Sequence, residues 1–135
     1  MDEGTRVLKI DLASPEAAYE QITNGLRTLL VAGEFRPGDQ LPTVRQLAMD
    51  LGVHHNTVAE AYRILAEEGW LDLKRGRGAT VVERPRPAAT HEAHARFTRR
   101  LKELTAQAIA EGVPRPAIAG ELDDLAQKLR AGGIK

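Results

Sequence analysis

Three places in this 135-residue sequence have side chains of the type and spacing to recognise polar groups on another molecule. Arg45 follows Thr43-Val44, His54-His55-Asn56-Thr57 is an unbroken run of hydrogen-bonding residues, and Lys74, Arg75 and Arg77 set three cations around Gly76 and Gly78. A guanidinium can clamp a phosphate or take the O6/N7 edge of guanine, Asn can bond the N6/N7 edge of adenine, and Thr and His can serve phosphate or base acceptors. This is chemistry of recognition, not of turnover. The chain has no cysteine, no phosphate-cradling glycine loop and no convergent acid–base set, so no enzyme and no cofactor are expected. His91-Glu92-Ala93-His94 places its histidines at i, i+3, whereas a zinc-protease helix needs i, i+4. Neighbouring helical side chains diverge by about 100°, which makes His54 and His55 a poor pair of metal ligands. No metal site is expected.

The elements around these residues can be read from hydrophobic spacing. Thr43-Val44-Arg45-Gln46 is a capping box that starts a helix. Val44, Leu47, Ala48 and Leu51 then recur at i, i+3, i+4, i+7 until Gly52, leaving Arg45 off the buried stripe near the positive end of the helix dipole. Only Val53 and His54 precede a second stripe of Val58, Ala61, Tyr62 and Leu65, which stops at Gly69. Two short helices joined by a tight turn form a helix-turn-helix, in which the start of the second helix reads base edges. Upstream, Ser14 as N-cap and Pro15 at the first helical position open a helix running through Tyr19, Ile22, Leu26, Leu29 and Leu30 to Gly33. Val7–Ile10 reads as a short edge strand, and Arg36-Pro37-Gly38-Asp39 as a type II turn. Downstream, Trp70–Lys74 and Ala79–Val82 flank the Arg75–Gly78 turn as a β-hairpin. Trp70, at the start of a strand, is expected in the core rather than stacked on a base. Glu60 and Arg63 lie with Asn56 on the outer face of their helix, where a mutual i, i+3 ion pair competes with a cytosine contact by Glu60.

Charge gives no overall field: 19 Lys plus Arg balance 19 Asp plus Glu, so nucleic-acid binding must rest on local clusters. No apolar run is long enough for a membrane span, and the acidic N-terminus is unlike a signal peptide. A cytoplasmic, nucleoid-associated protein is the expectation. Glu83-Arg84-Pro85-Arg86-Pro87 marks a spacer, because alternating prolines deny backbone donors and favour extended chain. The expected organisation is a winged helix-turn-helix over 1–84, a linker over 85–90 and a helical tail over 91–135. The fold class is mainly α, formally α+β.

The segment from Tyr19 to Val82 resembles the DNA-binding domain of the GntR family of bacterial transcription regulators. The resemblance is carried by Tyr19-Glu20-Gln21-Ile22, Gly33 through Ala48, Leu51-Gly52-Val53, Asn56-Thr57-Val58, Ala61-Tyr62-Arg63, Glu67-Glu68-Gly69 and Arg75-Gly76-Arg77-Gly78. With so short a segment after the linker, the whole pattern is similar to the small YtrA-type subfamily, whose members carry a two-helix dimerisation tail. The resemblance implies DNA contacts at Thr43, Arg45, His54, His55, Asn56, Thr57, Arg75, Gly76 and Arg77, with the last three at or in the minor groove. It also implies an operator with GT and AC cores. His54 and His55 stand where relatives carry Ser or Thr and then often Arg, and Ala59 stands where many carry an Arg for a phosphate. The guanine contact usual at the second position is therefore open, and the imidazoles bring sensitivity to pH.

The tail has its own pattern. His94, Phe97, Leu101, Leu104 and Ala108 are spaced 3, 4, 3, and 4, and after Gly112-Val113-Pro114 comes a second seam of Ile118, Leu122, Leu125 and Leu129. These are narrow stripes of coiled-coil type on an antiparallel hairpin. Seven large apolar side chains in the seams, Phe97, Leu101, Leu104, Ile118, Leu122, Leu125 and Leu129, are too few to order residues 91–135 alone. A second copy is the expected partner, with packing back on the winged helix the alternative. The function expected is thus a homodimeric, sequence-specific regulator, a repressor, on a pseudo-palindromic double-stranded DNA operator. The alternative is a winged-helix adaptor that binds protein and not DNA. A pyridoxal-phosphate enzyme fused to this module is not expected in so short a chain. A small-molecule effector is left open.

Overall fold

The computed structural model describes residues 8–74, 78–84 and 87–131. The chain divides into two compact units, 1–84 and 85–135. The first holds α1 (Ala18–Val31), α2 (Val44–Leu51), α3 (His55–Glu67), β1 (Leu71–Lys74) and β2 (Gly78–Val81). The second holds α4 (His91–Ala110) and α5 (Arg115–Arg130). The architecture is mainly helical with one small antiparallel sheet, as the periodicity predicts.

Both anticipated stripes of the helix-turn-helix face inward. Leu47 and Ala48 of α2 are buried, as are Val58, Ala61, Tyr62 and Leu65 of α3, and they share a core with Ile22, Leu26 and Leu30 of α1. The capping box forms in full. Gln46 N–H donates to Thr43 Oγ1 at 3.1 Å, and Thr43 N–H donates to Gln46 Oε1 at 3.0 Å. Gly52 closes α2 at φ 75°, a left-handed conformation that a Cβ would strain. Gly38 does the same work in the turn before α2: its φ is 98° and Asp39 N–H donates to Arg36 O at 2.9 Å.

β1 and β2 pair antiparallel with Leu71 opposite Val81 and Lys74 opposite Gly78. A pairing not read from the sequence widens this hairpin. Gly38 N–H donates to Val81 O, Val81 N–H to Asp39 O, and Leu41 N–H to Ala79 O, at 2.7, 2.7 and 2.9 Å. The chain entering α2 is thereby stitched to the free edge of β2, which brings Thr43 beside Gly78.

Two expectations fail at the start of the chain. Leu8–Ile10 is not a strand, and Val7 lies outside the described residues. Leu8 and Ile10 pack on the core without any sheet partner, and the Gln21 carboxamide accepts from Asp11 N–H at 2.7 Å and donates to Asp11 O at 2.8 Å. The first helix begins at Ala18 rather than at Pro15. Ser14 Oγ accepts from Glu16 N–H at 3.1 Å in a bend, and Gln21 Nε2 also donates to Glu16 O at 3.0 Å, so side-chain bonds satisfy the groups that an earlier helical turn would have used.

Where the first unit ends, four residues interlock. Arg27 donates two bonds to the Glu68 carboxylate at 3.0 and 2.5 Å, and Trp70 Nε1–H donates to it at 3.1 Å. Arg84 donates to Glu68 O at 2.8 Å while its guanidinium lies 4.7 Å from the Trp70 ring centroid. Trp70 packs against the core, as expected, and is engaged from its outer side. The Arg27 bonds and charge hold the Glu68 carboxyl below the ordinary carboxylate range, with Trp70 and Arg84 assisting and partial burial opposing. A depressed folded-state value means that the contribution is complete above the unfolded value, about 4.3, and is lost as pH falls through the folded one. The thermal midpoint of the wild type is therefore expected to fall more steeply with acidification below about pH 4.3 than that of Glu68→Gln. Calorimetry from pH 7 to pH 3 checks this, and parallel curves would refute it.

In the second unit, Thr90 Oγ1 accepts from Ala93 N–H at 3.0 Å to cap α4, and Val113 N–H donates to Ala108 O at 3.0 Å to close it. Neither α4 nor α5 has a buried residue. They share little contact with each other.

Candidate nucleic-acid interface

The first turns of α2 and α3 carry no acidic residue, so the positive ends of both helix dipoles are left uncompensated, in contrast to α1 with Glu20 and α4 with Glu92. Arg45 is exposed in the first turn of α2. Among the described residues no carboxylate pairs with it. Thr43 is exposed beside it and uses its hydroxyl as an acceptor within the cap, which keeps the hydroxyl proton available for a phosphate oxygen.

Thr43 and Arg45 join Val44, Ala59, Tyr62, Leu73 and Gly78 around a cleft of about 430 Å³ between α2, α3 and the hairpin. Ala59 matters there because of its size: a long side chain at this position would fill space that the methyl leaves open. Leu73 was not singled out by sequence. Alternation puts it on the same face as Leu71, yet Leu71 is 4% exposed and Leu73 44%. The cleft's position follows from the pairing of residues 38–41 with β2.

His54, His55 and Asn56 are exposed at the start of α3 and do not line this cleft. His54 is the N-cap, its Nδ1 accepting from Asn56 N–H at 3.1 Å. Thr57 lies within the first turn and does not cap. The rings of His54 and His55 stack with centroids 4.3 Å apart. The divergence expected of two helical neighbours does not apply, since His54 is in extended conformation at φ −70°, ψ 146°. No group of three or more metal-ligating side chains is found among the described residues. Arg63 donates to Glu60 at 2.5 Å and to Glu67 at 2.6 Å, so the anticipated i, i+3 pair forms and Glu60 is engaged. Arg75, Gly76 and Arg77 lie outside the described residues.

A helix-turn-helix followed by a small hairpin, with uncompensated helix N-termini and an unpaired Arg on one edge, defines a winged-helix DNA-binding domain of the kind transcription regulators carry. The profile described as "Bacterial regulatory proteins, gntR family" matches residues 18–81. The chain is 30% identical over 126 residues to the HTH-type transcriptional repressor YtrA of Bacillus subtilis, covering 93% of this chain and 97% of that one. Among solved structures it is similar to YtrA from Sulfolobus acidocaldarius, at 31% identity with a TM-score of 0.54 over 91% of this chain and 99% of that one. It is also similar to a protein titled a transcriptional antiterminator from Listeria monocytogenes, at 25% identity with a TM-score of 0.67 over 90% of both chains. The chain belongs to the GntR family of bacterial regulatory proteins, in its small YtrA-type branch. It is a DNA-binding transcription regulator and not an enzyme. No described helix is long and apolar enough to cross a membrane.

Proposed function

We propose that the protein acts as a homodimeric repressor that binds a pseudo-palindromic duplex operator, with 1–84 as the reading domain, 85–90 as linker and 91–135 as the dimerisation tail. The observation that carries the dimer is the tail's lack of a core. Phe97, Leu104, Leu122, Leu125 and Leu129 are exposed at 60, 64, 38, 45 and 53%, and Leu101 and Ile118 are only half-buried. A two-helix element with its apolar seams in water is completed by a second copy, giving four helices around one core. Repression is supported by the name of the Bacillus subtilis relative. The site of action is the cytoplasm, at the nucleoid.

In this reading Thr43 and Arg45 engage one strand from the cleft side, and His55, Asn56 and Thr57 enter the major groove with His54 holding the turn. Arg75, Gly76 and Arg77 follow the minor groove. Arg45→Ala is expected to weaken operator binding by about 5- to 150-fold, the ~1–3 kcal/mol of a bidentate base contact. The thermal midpoint should not move, since Arg45 is exposed and outside the core. Titration of both proteins against the operator by fluorescence anisotropy checks this. The whole reading is tested by selecting bound sequences from random duplex DNA. An inverted repeat with half-sites about one helical turn apart, bound ~10³-fold or more tighter than its scrambled form, is the expected result. Equal affinity for the scrambled duplex overturns it.

A further inference from the structure

The cleft between α2, α3 and the hairpin is walled by apolar side chains: Val44 from α2, Ala59 and the nearly buried Tyr62 from α3, and Leu73 from β1. The Tyr62 hydroxyl is engaged by Pro42 O, so among the described residues Thr43 and Arg45 are the lining side chains with free hydrogen-bond donors. No described carboxylate lines the cleft or pairs with Arg45. Its frame exists without a ligand. The capping box fixes Thr43, Leu41 N–H donates to Ala79 O to tie the approach to α2 onto β2, and a Cβ at Gly78 would come within 3.8 Å of Thr43 Cα. A preformed cleft of about 430 Å³, apolar with a few convergent polar groups, has the size and lining of a small-molecule site.

We propose that this cleft is an effector site for a small monocarboxylate with an aromatic or branched apolar body, and that the acid and the operator exclude each other. The carboxylate pairs with the Arg45 guanidinium through two hydrogen bonds and accepts the Thr43 hydroxyl proton, while the apolar body covers Val44, Ala59 and the part of Leu73 that the fold leaves in water. The anion follows from a cation without a described counter-charge, and its single charge from Arg45 being the one cation among the described lining residues. The inference rests on the regulator reading above and adds its control. An Arg45 held by an acid is not available to a guanine edge or a phosphate, so the acid releases the operator.

The test uses full-length protein, with phenylacetate and isovalerate as probes and acetate and phenylacetamide as controls, all at constant pH and ionic strength. Titration without DNA, followed by amide NMR, is expected to shift Val44, Ala59 and Leu73 together with a Kd of about 1 mM or lower for at least one probe acid, and about 10-fold or more above that for each control. Arg45→Gln should lower the affinity for phenylacetate to that for phenylacetamide. Ala59→Leu, which fills the cleft from an exposed position, should abolish acid binding at an unchanged thermal midpoint. In anisotropy on the selected operator, a probe acid at about ten times its own Kd should raise the wild-type operator Kd by at least about 10-fold, and should not change that of Ala59→Leu. Weaker binding of both probe acids overturns the proposal, as does equal binding of phenylacetamide, an undiminished affinity in Arg45→Gln, or an operator Kd that the bound acid leaves unchanged. Should wild-type protein bind operator and scrambled DNA equally, the regulator reading fails, while the titration without DNA still decides for or against the site.

Discussion

Phe97→Asp/Leu104→Asp is expected to convert the protein to a monomer and to raise the operator Kd by roughly 10²- to 10⁴-fold. Both side chains stand on the α4 seam and are more than half exposed in the single chain, so neither substitution removes an internal contact of much weight. What it places there is two carboxylates at a surface that must be dehydrated for a second copy to pack, a large penalty for an unpaired charge. The size of the binding loss comes from bivalency. A dimer engages its second half-site at the effective concentration set by its linker, and a monomer engages it from bulk solution. Sedimentation velocity at micromolar protein and anisotropy on full and half operators separate the two effects. Half-site affinity should change little, and the thermal transition of the 1–84 unit should be retained. A dimer surviving both substitutions would place the interface elsewhere.

Tyr62→Ala is expected to destabilise the first unit by about 3–5 kcal/mol, the range for removing a large aromatic from a core. Its ring is 1% exposed, and its hydroxyl donates to Pro42 O at 2.6 Å. That bond ties the middle of α3 to the residue before the α2 capping box. Burial pushes the phenol's ionisation well above its ordinary range, so the donor is present throughout the physiological pH interval. Against a total stability of about 5–15 kcal/mol for a small domain, such a loss leaves a substantial unfolded fraction at 37 °C. Tyr62→Phe isolates the hydrogen bond. It should cost about 0.5–1.5 kcal/mol and lower the midpoint by several degrees. Urea denaturation of the three proteins checks both figures, and equal loss in the Phe and Ala variants would show that shape contributes nothing.

The two helices of the helix-turn-helix were legible in the sequence because local signals and tertiary packing agree there. Thr43 and Gln46 cap α2, Gly52 ends it, and every residue of the α3 stripe is buried. The start of α1 was not legible. Ser14-Pro15 is a sound helix opening by local rules, and it loses to the Gln21 carboxamide, whose bonds to Asp11 and Glu16 depend on the fold bringing them together. The apolar run at Leu8–Ile10 has the composition of a strand, but a strand also needs a partner edge, and composition does not report one. The edge pairing of residues 38–41 was hidden for the converse reason: Gly38-Asp39-Gln40 has no β-forming side chain, and backbone bonds join it to β2.

At the site, Arg45 could be placed off the buried stripe from spacing, and its exposure follows from that. The stacking of His54 on His55 could not, since it depends on His54 being a cap in extended conformation rather than the first helical residue. The cleft over Ala59 needs three elements from separate parts of the chain, and no local pattern contains it.

Arg84, bonded to Glu68 and lying on Trp70, fastens the last residue of the first unit to its surface. In the proposed dimer, six residues separate Arg84 from the start of α4 after its Thr90 cap, a contour of at most about 20 Å. If two copies share one duplex as proposed, a connection of that reach sets an upper limit on the gap between the halves of a site, and arrangements of the same letters spread wider than that would go unread.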